Sequence, residues 1–199
     1  AGVAYPDDSW TWDDAVEAAK KLTDRDAGIW GLYSPIQFYE FFKKAAQHGG
    51  RLISEDGTTA TIDAPENVEA LDFMISLIGE HGVMPREEQL GGVSNEDAFA
   101  AGRIAMLVSG IWMFHPFSQV DFDWDIVVEP GLKQKATHFF SDGVAISRNT
   151  NHPEEAYKWI KFYTTSPAMA QVRIENNWEI PAVSDLSLVE KYLKQSHPD

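Results

Sequence analysis

The 199 residues carry 31 Asp and Glu against 16 Lys and Arg, a formal charge of −15 that repels phosphate backbones and anionic surfaces and argues against a nucleic-acid partner. With no cysteine the chain has no disulfide, thiolate nucleophile or thiolate metal site. No apolar run approaches the ~20 residues that span a bilayer, and the opening AGVAYPDDSW lacks the basic start and apolar core of a signal segment, so an exported parent would carry its targeting segment elsewhere.

One core, or one core and part of another, fits this length, and seven Trp, six Tyr and eleven Phe can both fill it and line a pocket. Thr11 and Asp14 form a capping box before Trp12, Ala15, Val16, Ala19 and Leu22, which recur at helical spacing. A second helix is predicted from near Pro35, with Phe38, Phe41, Phe42 and Ala45 on its buried side and Gly49 and Gly50 as its stop. RLISEDGTTATI reads as a hairpin around Asp56 and Gly57 at a sheet margin. Asp63, Pro65 and Glu66 open a third helix, whose predicted buried stripe is Val68, Leu71, Phe73, Ile75 and Ile78. The acidic PREEQLGGVSNED that follows reads as surface.

Asn95 is placed to cap a short helix carrying Ala98, Phe99 and Ala101, which Gly102 ends. Ile104 to Val108 then read as a strand buried on both faces. Ser109, Gly110 and Trp112 follow where strand gives way to loop, the position that faces a ligand crevice in open α/β sheets. Phe122 to Val128, Thr137 to Phe140 and Val144 to Ile146 are further β-prone runs, the last two parted by Ser141, Asp142 and Gly143. Asn151 with Glu154 starts a helix bearing Ala156, Trp159, Ile160 and Tyr163. Ser166 with Pro167 starts another bearing Met169, Val172 and Ile174. Pro181 closes that unit, and a last helix spans about Leu186 to Lys194. No internal repeat is present.

Four phrases in fixed order resemble the extracellular solute-binding proteins of carbohydrate ABC transporters, the maltose-binding-protein-like family. They are SWTWDDAVEAAKKLT, GGRLISEDGTTATIDAPENVEALDFMISLI, the motif AFxxGxxAMxxSGxW over Ala98 to Trp112, and SDGVAISRNTNHPEEAYKWIKFYTTSPAM. The resemblance implies an α/β chain forming one lobe of a two-lobe, type II periplasmic-binding-protein-like fold, with helices around a small mixed sheet. Residues 1–140 would be the second lobe. Residues 141–199 would be a hinge return and helices that pack on a first lobe missing here, leaving them open to repacking, dimerisation or segment exchange. The implied function is to bind a mono- or oligosaccharide in a cleft and deliver it to permease subunits, outside the cell or in the periplasm, free or lipid-anchored. Sugar-driven closure of two lobes about a hinge would be what the permease reads.

A sugar presents apolar C–H faces edged by hydroxyls, so its receptor needs flat aromatic platforms and a few fixed polar groups. By resemblance Trp112 and Tyr39 correspond to stacking rings and Gln37 and Asp142 to hydroxyl partners, with Phe114, Gly143 and Trp178 as further assignments. Trp178 would belong to the opposite wall. Tyr39 lies off the side shared by Phe38, Phe41, Phe42 and Ala45, which favours exposure. Trp10, Trp12 and Trp159 fit core positions.

An enzyme is the rival from another class, because Asp13 with Asp14, Glu87 with Glu88 and Asp123 with Asp125 invite a glycosidase reading. Adjacent acids of this kind form solvated faces, and no nucleophile elbow, phosphate loop, HExxH pair or dinucleotide fingerprint is present. His48, His81, His115, His138, His152 and His197 lack mutual ligand spacing, so no metal and no cofactor is expected. A protein-interaction module that kept the fold without the sugar site is the third reading.

Overall fold

The computed structural model describes residues 2–194, so His197 lies outside the described residues. They fall into two compact units: the chain up to Ser109 together with Ile126–Phe139, and Gly110–Asp125 together with the chain from Phe140 onward.

In the first unit α1 spans Trp12–Leu22, α2 Phe38–Gln47, α3 Pro65–Gly79, α4 Glu87–Leu90 and α5 Asn95–Ala100. The predicted capping box is formed at α1, where the Asp14 N–H donates to Thr11 Oγ1 at 3.3 Å and the Thr11 N–H donates to Asp14 Oδ2 at 2.9 Å. Trp12, Ala15, Val16, Ala18 and Ala19 are its buried face. Thr11→Ala should cost about 1 kcal/mol, read as a lower urea midpoint with an unchanged slope. Ser94, one residue before the predicted cap, holds the start of α5 by accepting from the Asp97 N–H at 3.0 Å. Gly102 ends α5 as predicted. At φ +70° its N–H donates to the Phe99 carbonyl and that of Arg103 to the Ala98 carbonyl, both at 2.8 Å, the paired closure for which a left-handed residue is needed.

Two helices turn a different face inward from the one predicted. α3 buries Asn67, Ala70, Met74 and Leu77, while Val68, Leu71 and Ile75 are exposed. The helix is apolar around most of its girth, so periodicity offers two stripes. Asn67 goes in with its amide nitrogen donating to the carbonyls of Arg51 and Thr61, both at 2.7 Å. In α2 most of the predicted face is inverted: Glu40, Lys43, Lys44 and Gln47 are buried together with Ala45, which was placed there, while Phe38 and Phe42 are exposed and Phe41 is half-buried.

The expected mixed sheet is reduced, among the described residues, to isolated bridges of both senses: Thr11 with Gly131, Trp30 with Ile104 and Tyr33 with Leu107 in parallel, and Asp24 with Ile29 and Ile53 with Ala60 antiparallel. The hairpin is thus present as one bridge. Around Ile104 the N–H of Trp30 donates to the Arg103 carbonyl and the N–H of Ala105 to that of Trp30; around Leu107 the N–H of Tyr33 donates to Met106 and that of Val108 to Tyr33. These bridges are three residues apart on both segments, whereas a ladder repeats every two, so no continuous strand develops. Ile104 is buried and Ala105 exposed, which corrects the expectation of burial on both faces. Phe122 to Val128, Thr137 to Phe140 and Val144 to Ile146 likewise form no strand. Ile126, Val127, Val128, Phe139, Phe140, Val144 and Ile146 are exposed, so β propensity there is not matched by the burial that stabilises a strand.

The second unit contains a 3-10 turn at Ile111–Met113, α6 at Phe114–Phe117, α7 at Pro153–Thr165, α8 at Pro167–Glu175 and α9 at Leu186–Leu193. Asp185 caps α9 by accepting from the Ser187 N–H at 3.0 Å, and Ala170, Ile174 and Tyr192 are buried. α7 has no buried residue. Trp159, placed in the core by its spacing, is 61% exposed and stacks on Phe162 with ring centroids 5.9 Å apart.

Candidate functional site

Two groups of the predicted residues emerge, one in each unit. In the first, Gln37 stands at the entry to α2, exposed, its carbonyl accepting from the Phe41 N–H at 2.9 Å. Tyr39 follows in the first turn with 37% of its surface exposed. The His138 imidazole lies edge-on to the phenol, centroids 6.0 Å apart, its Nε2 reaching the Tyr39 carbonyl. The same imidazole stacks on Phe42 at 6.1 Å and 19°. Partial burial, then the Glu40 and Glu96 carboxylates, raise the Tyr39 phenol above its usual pKa, so it stays protonated and can donate to an acceptor.

The opposite face of α2 explains why these rings look outward. Lys44 is fully buried, its Nζ 3.6 Å from the Trp12 ring centroid and 2.5 Å from Glu129 Oε1. Lys43 bridges Glu40 at 2.9 Å and also pairs with Glu129. Gln47 Nε2 donates to Glu129 and to the Ala136 carbonyl at 3.1 and 3.0 Å, while its Oε1 accepts from Trp12 Nε1 at 2.9 Å. The returning segment Ile126–Phe139 is thereby fastened along α2, with the N–H groups of Lys133 and Gln134 both donating to the Gln47 carbonyl. Buried charges are tolerated only when paired in this way.

Burial lowers the Lys44 ammonium to about 8 in spite of the opposing pull of Glu129. Because the unfolded chain keeps that proton to higher pH than the folded one, this group adds stability as pH rises from about 8 toward 10.5, the interval in which the unfolded state binds more protons. Lys44→Met is expected to flatten that slope in urea midpoints measured across the interval.

In the second unit Gly110 precedes the turn that carries Trp112. A Cβ added there would sit 2.2 Å from the indole Cζ3, so the absence of a side chain lets the ring fold back over the backbone. The indole is 49% exposed and meets Phe140 edge-on at 5.6 Å and 77°. Gly110→Ala should turn the indole out of this position, seen as a change in near-UV circular dichroism with the far-UV spectrum preserved. Phe114 lies 6.1 Å from Trp124, whose Nε1 donates to the Phe117 carbonyl at 3.0 Å and whose ring meets Phe117 at 5.6 Å. Asp142 and Gly143 are exposed. Trp178 is 40% exposed, its N–H donating to the Arg173 carbonyl at 3.1 Å.

Tyr39 and Gln37 thus share one helix entry, and Trp112 and Phe114 one short turn. His138, Phe42 and Phe140 were not foreseen as site residues. Phe42 was assigned to the core by its spacing, and the adjacent Lys43 and Lys44 give no hint that they take its place inside. A hollow of about 330 Å³ elsewhere in the first unit, lined by Lys20, Thr23, Arg25, His81, Gly82 and Val83, includes none of the predicted residues. Among the described residues no group of three or more His, Asp or Glu is placed to hold a metal ion, and no helix is long and apolar enough to cross a membrane.

The family model of the bacterial extracellular solute-binding proteins matches residues 1–170. This chain belongs to that family. Among curated members it is 25% identical over 166 residues to the arabinooligosaccharide-binding protein of Halalkalibacterium halodurans, covering 76% of this chain and 36% of that one. To the maltotriose-binding protein of Pyrococcus abyssi it is 21% identical over 182 residues, covering 88% and 39%. Among solved structures, the ABC substrate-binding protein Lmo0181 from Listeria monocytogenes, in complex with cycloalternan, superposes with a TM-score of 0.92 at 44% identity, over 98% of this chain and 50% of that one. The chain spans less than half the length of these curated relatives. The type II binding-protein fold is shared over that part, helix-rich and, among the described residues, without the continuous sheet expected.

Proposed function

We propose that this solute-binding family member supplies part of the carbohydrate cleft of an ABC importer's binding protein and that Trp112 and Tyr39 are its stacking rings. Gln37 and Asp142 serve sugar hydroxyls, Phe114, Gly143 and Trp178 add to the walls, and the parent hands its sugar to permease subunits outside the cell or in the periplasm. No reaction is catalysed.

One observation carries this reading: a half-exposed indole seated over a glycine that has no room for a side chain. A large aromatic surface left open at a structurally specified position points to a flat, partly apolar ligand. The relatives named for arabinooligosaccharide, maltotriose and cycloalternan support a sugar as that ligand.

Calorimetric titration of the full-length parent with arabinooligosaccharide, maltotriose and cycloalternan tests it. Reversible binding without product is expected; turnover of the sugar, or no heat with any of the three, would refute it. The isolated 199 residues should bind weakly or not measurably, because they can make only part of the contacts that favour a closed state. Micromolar affinity of the isolated chain would contradict that division of labour.

A further inference from the structure

An aspartate followed by glycine carries an electrophile and a nucleophile side by side. The glycine nitrogen lies within reach of the aspartyl carboxyl carbon, and with no Cβ beside it nothing hinders the approach. The sequence contains two such pairs, Asp56–Gly57 and Asp142–Gly143. The fold treats them in opposite ways.

At Asp56–Gly57 both reactants are tied down. Asp56 Oδ1 accepts from Ser54 Oγ at 2.6 Å, from the Thr58 N–H at 3.1 Å and from Thr58 Oγ1 at 2.9 Å. The Gly57 N–H donates to the Ser54 carbonyl at 2.9 Å, and the turn is closed by the Ser54 N–H on the Thr59 carbonyl at 2.8 Å. These donors hold the Asp56 carboxyl below its ordinary pKa, which keeps it in the ionised, less electrophilic form. At Asp142–Gly143 no such restraint exists among the described residues: neither the Asp142 carboxylate nor the Gly143 N–H has a hydrogen-bond partner. Every residue from Ser141 to Asn149 is exposed, and none of them belongs to a helix or strand.

We propose that Asp142–Gly143 is a self-modification site, at which the main chain rearranges through a cyclic imide to isoaspartate, and that the bonds from Ser54 and Thr58 protect Asp56–Gly57 from the same chemistry. The Gly143 nitrogen attacks Asp142 Cγ. A C–N bond forms, and the carboxyl hydroxyl and the amide proton leave together as water. Water then opens the ring at one of its two carbonyls. Cleavage of the new bond restores aspartate; cleavage of the original peptide bond leaves the chain running through Cγ, with the former peptide carbonyl now a free carboxylate. Water is lost once and regained once, and no oxidant or reductant enters. The backbone gains one methylene at that point, and the side-chain carboxylate proposed above to serve a sugar hydroxyl is consumed in the new link. The chemistry does not depend on the carbohydrate reading, and its test uses no sugar.

The test is ageing of the 199-residue chain at physiological temperature in mildly acidic buffer, followed by peptide mapping and methyl labelling with an isoaspartate O-methyltransferase. Peptides containing Asp142 should show a transient species lighter by one water and then a second form of unchanged mass. Their extent should exceed that at Asp56 by about tenfold or more, the scale set by the hydrogen bonds that must break first. Gly143→Ala should suppress the product. A Cβ there meets nothing within 4 Å, so the fold is kept while the nitrogen is screened. Ser54→Ala combined with Thr58→Val should do the opposite at Asp56 and raise its isoaspartate severalfold. In concentrated urea the two pairs should converge. Equal extents at both pairs in the folded chain, a difference that survives in urea, or undiminished product in Gly143→Ala would each overturn the proposal.

Discussion

Glu129→Ala is expected to destabilise the first unit by about 3–5 kcal/mol, a large part of the roughly 5–15 kcal/mol that holds a domain together. The loss comes less from the bonds removed than from what stays behind. Lys44 and Lys43, with side chains 0% and 5% exposed, would share Glu40 as the remaining carboxylate of the network, and Gln47 would lose an acceptor. Urea unfolding near neutral pH measures the effect, and a change below about 1 kcal/mol would show that the ammonium groups escape to water. The paired replacement Lys44→Met with Glu129→Leu should recover much of the stability, because an apolar substitute leaves no uncompensated charge.

Acid gives the same network a signature of its own. Burial pushes the Glu129 carboxyl up, but Lys44 and Lys43 outweigh it and hold its pKa below the ordinary 4.5. A folded-state value below the unfolded one means that Glu129 contributes stability above about 4.5, lost as pH falls through the folded value. Glu129→Gln should therefore be less stable at neutral pH and show a shallower decline in that acid window.

Trp112→Ala in the full-length parent is expected to lower sugar affinity by roughly 2 kcal/mol, about 30-fold, as befits a tryptophan at the centre of a binding surface. Because the indole is half exposed and stands in a three-residue turn, its removal should leave the melting temperature nearly unchanged. That separation distinguishes a platform from a core residue, where truncation costs about 3–5 kcal/mol of stability. Trp112→Phe should restore part of the affinity and Trp112→Leu little. Loss of stability without loss of affinity would place the indole in the packing instead.

Where helices begin and end was legible in the sequence because those signals are local. Thr11 with Asp14, proline at the first position of α3, α7 and α8, and Gly102 each act within one turn. Which face a helix buries was not, because that depends on partners far along the chain. Phe42 looks like core until Glu129, 85 residues beyond Lys44, supplies a counter-charge that lets the lysines go in instead. Val68, Leu71 and Ile75 form as good a stripe as Ala70, Met74 and Leu77, and composition cannot choose between them. Strand expectations failed for a related reason: Ile104 to Val108 has the right residues, but its bridges to Trp30 and Tyr33 fall out of step. Of the candidate site, the close approach of Trp112 to Gly110 falls where the motif placed both residues. The ring of His138 was not, since nothing in THFF tells that an imidazole will lie between two side chains of α2.

The excursion Gly110–Asp125 leaves the first unit after Ser109 and rejoins it at Ile126, and Trp124 closes it on itself through the Phe117 carbonyl. A stretch anchored this way can lengthen at an entropic cost that rises only with the logarithm of its size. Its departure point is fixed by the Tyr33 and Val108 pairing, which does not depend on what the excursion contains. The turn bearing Trp112 is thus free to change in length and sequence while the Tyr33 and Val108 pairing keeps its register.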